Sequence, residues 1–380
     1  MLYFNIFLFL IIFQLLQAND NEEKLDNNRY KRGIVSTINS TFSLPILYFI
    51  KFNITTEPLK LALTHISKKT CIKFREAKKP FKKVGLHIQW GTYNNIIYGN
   101  KYGNRTLVNL DKYCINDIGC IKHILGLALG LIPHHNRWDR DQYVKIHYNA
   151  INKIMINKFK KVNWDETKIF NTPFDYGSIS NYDVYYYSKK YHRTYSPIQE
   201  SLYMPMLGQR DDFTHNDIKL LNDLYCGNVC STKIKGCKNG GYPDPKNCSQ
   251  CRCPPGFTST LCDKVEDSTG VCDKKILFAT KKEKTLQLRT SGRCTHLIIS
   301  PAKTRVQILI DDSVTKYDKI CTTKGSLEIR YRHNKGLTGL CLCRTVKNHT
   351  LEAVSGQVLI RYMGTKSHKY YSILKYKAIQ

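Results

Sequence analysis

After Leu16 the chain contains no apolar run of the roughly 20 residues that a membrane-spanning helix needs. The one long apolar run, Leu2 to Leu16, carries no charge and is too short for a comfortable span. It ends in Gln17-Ala18, a pattern typical of a secretory signal peptide over residues 1–18. We therefore expect a soluble, exported protein that is secreted to the extracellular space and has no transmembrane segment.

Acidic residues are also scarce, with 30 Asp plus Glu against 59 Lys plus Arg and a formal net charge of +29. Basic clusters at residues 78–83, 158–161, 274–275 and 281–282 could attract sulfated glycans, acidic proteins or anionic membranes. Nucleic acid suits this charge but not an exported chain. Coding bias toward Lys, Asn, Tyr and Ile is an alternative explanation, because scattered lysines need not form one patch.

Cysteine, by contrast, is abundant: fifteen cysteines in an exported chain predict disulfides. Potential N-glycosylation sites agree with that compartment and lie at Asn39, Asn53, Asn104 and Asn348. The run Arg29-Tyr30-Lys31-Arg32 is similar to a dibasic processing site, so residues 19–32 are predicted to be a short pro-segment. A solvated charge cluster is the alternative interpretation of that run.

The segment from Gly119 to Val144 has the frame of a zinc-protease helix without most of its chemistry. Such a site needs His at positions i, i+4 and i+10 to bind the metal, and Glu at i+1 as the base. Counted from His123 as position i, Leu127 stands at i+4, Pro133 at i+10 and Ile124 at i+1. One ligand position of three is kept and the base is absent.

Three further motifs identify the frame. Residues 136–144 resemble an HxRxDRDxYV run that follows the third His, and residues 172–182 resemble a YDYGSIMHY Met-turn. Residues 207–210, Leu-Gly-Gln-Arg, are similar to the closing motif of the same domain. Together these motifs resemble the astacin family of secreted zinc endopeptidases, especially the nematode chains that combine astacin, EGF-like and CUB modules. In the Met-turn, Ser180 stands at the Met position, Asn181 at the His position, and the family's metal-binding tyrosine is kept as Tyr182.

The resemblance implies an α+β fold in three parts. A two-lobed metzincin-like domain over residues 33–226 is expected first, and a small disulfide-rich EGF-like module over residues 227–263 follows. Residues 272–378 alternate apolar and polar side chains, which predicts an antiparallel β-sandwich, here resembling a CUB domain. Asp311-Asp312 and Asp318 are expected in solvated turns rather than in a calcium site.

The same resemblance implies the disulfide pairs Cys71-Cys226, Cys230-Cys248, Cys237-Cys251, Cys253-Cys262 and Cys272-Cys294. Cys114, Cys120 and one of Cys341 and Cys343 are then left over, once Cys321 has paired with the other. A local bridge between Cys114 and Cys120 is expected first. A free thiol or a bridge to another chain remains an alternative.

No catalytic residue of the family's set is intact, because Ile124 offers no proton acceptor in place of the glutamate. Two missing ligands should also remove most metal affinity, so no cofactor is expected. We expect His123 to be a hydrogen-bonded core residue, beside a metal pocket that Leu127 and its neighbours fill with hydrocarbon. Under the alternative, zinc would be held by His123, by His134 or His135, and by Tyr182.

Two functions therefore stand at this point. The first is an inactive homologue that binds extracellular proteins or sulfated glycans. The second is an active zinc metalloendopeptidase with a rewired site.

In the pro-segment, Asp26 is a weak candidate for the aspartate that caps the zinc in the family.

Overall fold

The computed structural model describes residues 41–51, 56–99, 103–163, 170–325, 327–365 and 369–380. The predicted signal peptide, the pro-segment with Asp26, and the potential glycosylation sites Asn39 and Asn53 lie outside these ranges. Helices α1 to α3 span Thr56–Lys69, Ile118–Ala128 and His215–Tyr225. Short 3-10 turns occupy Cys114–Asn116, His134–Asn136, Arg140–Gln142, Tyr148–Ala150, Lys153–Phe159 and Ser201–Met206.

The first lobe is a five-stranded sheet that packs on α1 and α2. Its strands are β1 (Ile46–Ile50), β2 (Phe74–Glu76), β3 (Leu86–Trp90), β4 (Asn95–Ile97) and β5 (Thr106–Leu110). They lie in the order β2, β1, β3, β5, β4, and β4 runs antiparallel to β5 while the other pairs are parallel. The sheet and both helices share one apolar core, to which α1 contributes Leu59, Leu63 and Ile66.

Helix α2 carries the motif that the sequence singled out. Asp117 begins it by accepting hydrogen bonds from the backbone N–H groups of Gly119 and Cys120, at 2.7 and 3.1 Å. Nearly every residue of the helix is buried, because α2 lies between the first lobe and the second. Gly119 allows that approach, since a Cβ there would lie 1.5 Å from the carbonyl oxygen of Arg210.

The second lobe, residues 131–226, has little regular structure apart from α3 and the strand pair β6 (Val144–Ile146) and β7 (Tyr195–Pro197). It is held together by buried aromatic rings and by the capping box of α3. In that box, Thr214 accepts a hydrogen bond from the backbone of Asp217, whose carboxylate accepts one from the backbone of Thr214.

A disulfide-rich segment follows, with two small hairpins. The first pairs β8 (Tyr242–Asp244) with β9 (Asn247–Arg252), and the second pairs β10 (Phe257–Thr258) with β11 (Lys264–Val265). Phe257 and Val265 belong to a small apolar cluster that also contains Leu297 and Leu359 from the chain that follows, and the disulfides supplement this core.

The remaining chain forms two sheets around one core. Their strands are β12 (Ile276–Phe278), β13 (Lys284–Leu288), β14 (Gly292–Ile299), β15 (Arg305–Val314), β16 (Leu327–Arg330), β17 (Leu340–Leu342), β18 (Val346–Leu351), β19 (Gln357–Gly364) and β20 (Tyr371–Ile379). One sheet has the order β12, β14, β19, β16, β17, and the other β13, β20, β15, β18. Alternate residues of β20 are buried, as expected for a strand with one face on the core.

Asp311 and Asp312 correct the expectation of a solvated turn, because both lie inside β15. A register shift between Ile310 and Asp312 against β20 accommodates two consecutive carboxylates. Asp311 pairs with Lys375 at 3.0 Å, and Asp312 accepts a hydrogen bond from the Tyr371 hydroxyl at 2.8 Å. Their partners are therefore cross-strand side chains.

The structure joins the cysteines in seven pairs: Cys71–Cys226, Cys114–Cys120, Cys230–Cys248, Cys237–Cys251, Cys253–Cys262, Cys272–Cys294 and Cys321–Cys343. Cys341 is left as a buried free thiol whose Sγ donates to the carbonyl oxygen of Gly339 at 3.5 Å. Burial first, and then the nearby Glu328 carboxylate, raise the pKa of this thiol well above its ordinary value. Cys341 is thus inaccessible to a second chain.

The two sheets formed by β12 to β20, which we call the sandwich, share a single hydrophobic core with the second lobe. The rings of Tyr203 and Tyr331 lie 6.4 Å apart across the boundary, and the backbone N–H of Cys321 donates to the carbonyl of Pro205 at 2.8 Å. His349 and the carboxylate of Glu200 also meet there at 2.8 Å. The lobe that would carry half of a peptidase cleft is therefore packed directly on the sandwich.

Candidate functional site

His123 lies on α2 where this helix packs against the second lobe, and it is 2% exposed. Its Nδ1 lies 2.7 Å from the carbonyl oxygen of Ile179, and its ring meets that of Tyr182 edge to face at 4.9 Å. Because the carbonyl can only accept, Nδ1 carries the proton and Nε2 has the free lone pair. Burial first, and then Arg210, hold the pKa of His123 well below its usual value.

Arg210 faces that lone pair. Its Nη2 lies 3.4 Å from Nε2 of His123, and its guanidinium carbon is 5.8 Å from the centroid of the Tyr182 ring. The same guanidinium donates through Nη1 to the carbonyl oxygens of Asn181 and Gln209, at 2.8 and 2.7 Å. A cationic side chain therefore stands beside the imidazole nitrogen that would face a metal, an arrangement that the expectation of a hydrocarbon-filled pocket did not include.

The neighbouring positions are apolar. Ile124, at the position of the family's base, is 3% exposed and belongs to the core of the first lobe. Leu127 is 5% exposed, and its carbonyl oxygen accepts a hydrogen bond from the Tyr98 hydroxyl at 3.0 Å. Pro133 directly precedes the 3-10 turn that begins at His134. None of these side chains offers a proton acceptor or a metal donor.

The turn over residues 174–182 is held by hydrogen bonds of its own. Ser180 Oγ donates to the carbonyl of Ile132 at 3.0 Å, and the Asn181 amide donates to the carbonyls of Asp175 and Tyr176 at 3.0 and 3.1 Å. A short polar side chain at position 180 can thus replace a methionine, since it ties the turn directly to the backbone that follows α2.

The carboxyl group of Asp217 anchors the same turn. It accepts from the Ser178 hydroxyl at 2.5 Å and from the Ile179 backbone N–H at 2.9 Å. Burial first, and then the nearby Asp175 carboxylate, raise its pKa to about 6. The Asp175 carboxylate in turn accepts from the backbone and hydroxyl of Thr338 in the sandwich, at 3.3 and 3.2 Å.

His134 makes its contacts with the second lobe. Its Nδ1 accepts a hydrogen bond from the backbone N–H of Asp175 at 3.0 Å, and its ring packs edge to face on Phe174 at 5.0 Å. Burial first, and then Arg137, keep the pKa of His134 well below its usual value. Its lone pair is already used, so His134 serves the packing of the second lobe.

His135 lies in a cage of aromatic rings, with centroids between 5.1 and 5.8 Å away, formed by Phe159, Tyr182, Tyr186 and Tyr195. Among the described residues, neither of its ring nitrogens makes a well-aligned hydrogen bond, although the backbone of Lys158 lies close enough to interact with the ring. Burial first, and then Arg140, lower its pKa to about 3. Tyr182 stacks on Tyr186 at 3.6 Å and contacts both imidazoles, that of His123 at 4.9 Å and that of His135 at 5.8 Å.

These contacts do not fit a zinc ion at His123. Structural and catalytic zinc sites use at least three protein donors around the metal. In the described part of the chain, no three His, Cys, Asp or Glu side chains are grouped to hold a metal ion. The space beside Nε2 of His123 is taken by a guanidinium, whose positive charge opposes a second cation.

Sequence reasoning noticed Arg210 only as part of a closing motif and gave it no role. The signal that could have revealed one is the Gly119 position, where the missing side chain admits the backbone of residue 210 onto α2. The contacts of Glu200 with His349, and of Asp175 with Thr338, were also missed, because they join segments 149 and 163 residues apart.

Replacing Arg210 with alanine is expected to lower the free energy of unfolding by about 3 kcal/mol, since buried hydrogen bonds from charged donors each contribute about 1.5–3 kcal/mol. The carbonyl oxygens of Asn181 and Gln209 would lose a donor. Arg210→Lys, which keeps the charge but not the planar fork, should fall between alanine and the wild type. Urea denaturation with the disulfides intact measures this, and a loss below about 1 kcal/mol for Arg210→Ala would contradict it.

Comparison with known proteins places this geometry in a family. The family model described as Astacin, a family of peptidases, matches residues 35–226, which is 192 of the 380 residues. The zinc metalloproteinase dpy-31 of Haemonchus contortus is 30% identical over 355 residues, covering 87% of this chain and 63% of the relative. The zinc metalloproteinase nas-34 of Caenorhabditis elegans is 26% identical over 349 residues, covering 90% of this chain and 56% of the relative.

The chain thus spans about 60% of the length of these two relatives. Among solved structures, the hatching-enzyme zinc protease HCE-1 of Oryzias latipes is 28% identical, with a TM-score of 0.43, covering 50% of this chain and 92% of that protein. None of the helices in the described residues is both long and apolar enough to cross a bilayer. Because the family model matches half of its length, the chain belongs to the astacin family.

Proposed function

We propose that this chain is a non-hydrolytic member of the family that acts by binding. The observation that supports it most is the guanidinium of Arg210 at 3.4 Å from Nε2 of His123. With Ile124 and Leu127 buried as hydrocarbon, the site has neither a general base nor a second histidine ligand on α2. The site therefore lacks the groups that would activate water, and the protein is proposed to bind its partners without cleaving them.

The proposal extends to the modular organisation. Residues 1–18 form a signal peptide, 19–32 a pro-segment, 33–226 the astacin-like domain, 227–263 an EGF-like module and 272–378 a CUB-like domain. Three disulfides within 33 residues and two sheets around one core support the last two assignments. Asn104 and Asn348 are exposed, as glycan carriers must be in a secreted protein.

The proposed partners are extracellular proteins or sulfated glycans, and binding them is proposed to need no zinc. Relatives described as zinc metalloproteinases make the opposite function the natural alternative. Under it, His123, Tyr182 and His135 would rearrange around a metal. The ring of His135, which makes no well-aligned hydrogen bond among the described residues, is the observation that favours it, and His134 is excluded by its bond to Asp175.

Zinc content distinguishes the two functions. Secreted protein purified without added metal or chelator is expected to hold close to no zinc per mole and to leave a general protein substrate uncut, because three donors are not assembled. His123→Ala should leave the zinc content unchanged. About one zinc per mole, lost in His123→Ala together with chelator-sensitive cleavage, would overturn the proposal and establish the rewired site.

A further inference from the structure

Positive charge is concentrated in one segment of the first lobe. Between residues 60 and 83 nine side chains are basic and one, Glu76, is acidic; the basic ones are Lys60, Lys68, Lys69, Lys73, Arg75, Lys78, Lys79, Lys82 and Lys83. All nine except Lys69 are exposed. The net positive charge per residue is far higher in this segment than in the whole chain, so the segment is a true cluster of basic residues.

The fold turns part of this segment into a concave site. Helix α1 presents Lys60 and Lys68 on one face, and Lys73 directly precedes β2. The turn between β8 and β9 brings Lys246 to the same place from the disulfide-rich segment. Together they line a cleft of about 490 Å³, which we call the lysine cleft.

The charge of the lysine cleft is mostly uncompensated. Glu76 is its one carboxylate, and it is already engaged by Lys60 at 3.5 Å and by the Tyr48 hydroxyl at 3.2 Å. Lys246 donates to the carbonyl oxygens of Ser67 and Lys68, at 3.2 and 3.1 Å, at the end of α1. Those carbonyls are the negative end of the helix dipole, so they fix the ammonium in place without an opposing full charge.

We propose that the lysine cleft binds a sulfated glycan chain. This inference rests on the proposed binding function and names its partner class and its surface. The cations continue beyond the cleft, because the chain leaves the edge strand β2 and runs on through Lys78 and Lys79. A linear polyanion with a charge on each sugar can follow that line, whereas a single small anion would use only part of it.

A bilayer surface fits these residues less well. The lysines surround a concavity, and segment 60–83 exposes one large apolar side chain, Leu61, that could enter the headgroup region. Lysines beside an edge strand also discourage pairing with another sheet, and that role alone would explain Lys73, which directly precedes β2. It would not explain Lys246, which reaches the cleft from another module.

The test compares two double variants with the same change in net charge. Lys68→Gln/Lys73→Gln empties the cleft of two cations, and neutral glutamine avoids placing a carboxylate at the end of α1. Lys281→Gln/Lys282→Gln removes two exposed cations from the sandwich and serves as the control. The probe is a heparin-derived octasaccharide, titrated calorimetrically at two salt concentrations.

We expect the cleft variant to weaken octasaccharide binding by about tenfold or more and to reduce its salt dependence, while the control stays within about twofold. Equal losses in both variants would mean that only net charge matters and would overturn the inference. So would binding to vesicles containing phosphatidylserine without binding to the octasaccharide. Neither result would alter the zinc content, so failure here is distinguishable from failure of the proposed function.

Discussion

Restoring the family's glutamate at position 124 is expected to destabilise the protein by about 4 kcal/mol at pH 7 and to produce no peptidase activity. Ile124 is 3% exposed and packs in the core of the first lobe. A fully buried carboxyl group has its pKa raised by several units, and each unit corresponds to about 1.4 kcal/mol of lost stability when the unfolded chain ionises. Activity would still lack the ligands that Leu127 and Pro133 replace.

Ile124→Gln is the matched control, because glutamine has nearly the same shape as glutamate but cannot ionise. Below about pH 4 the two variants should be equally stable, since the carboxyl is then protonated in both folded and unfolded chains. As the pH rises, the unfolded chain ionises first, so the glutamate variant should lose stability relative to glutamine until the folded pKa is passed. Parallel stability profiles from pH 4 to 8 would show that the side chain at 124 reaches water.

Removing the bridge between Cys71 and Cys226, by changing both to serine, is expected to lower the free energy of unfolding by about 5 kcal/mol. The bond closes a loop of 155 residues, and the stabilisation by a crosslink increases with the logarithm of the loop it closes. Its loss should also loosen the start of β2 from the end of α3, because Cys71 and Cys226 lie beside those elements. Chemical denaturation with the other disulfides intact measures the change.

The bridge between Cys114 and Cys120 provides the comparison within the same domain. It closes six residues, so the double serine variant should lose only about 2 kcal/mol. A larger loss from the short loop than from the long one would show that local geometry at α2, rather than chain entropy, governs the contribution of these disulfides.

Much of the architecture could be predicted from particular residues. The membership of the astacin family follows from motifs at 136–144 and 172–182, and the alternating residues at 307–310 and 357–362 lie in β15 and β19. Period-two patterns are readable because one face of a strand must be buried. Asp311 and Asp312 were misplaced, since a register shift inside a strand leaves no mark in such a pattern.

The sequence predicts which catalytic and metal-binding residues are missing from the site, but it does not predict which side chains take their place. The absence of a glutamate at 124 is visible in the sequence, but the approach of Arg210 to His123 depends on how two segments 87 residues apart pack. The shared core of the second lobe and the sandwich was missed for the same reason. Local patterns carry no information on the contact between the rings of Tyr203 and Tyr331, which come from segments 128 residues apart.

That shared core has an evolutionary consequence. Modular extracellular chains diversify when recombination joins units at their linkers, which works where few contacts cross the junction. Here the family model ends at residue 226, whereas the buried surface of the second lobe continues into the sandwich. A recombinant chain that exchanged the sandwich for an unrelated unit would expose Tyr203 and Met206 to water. The two units are therefore expected to be inherited as a pair.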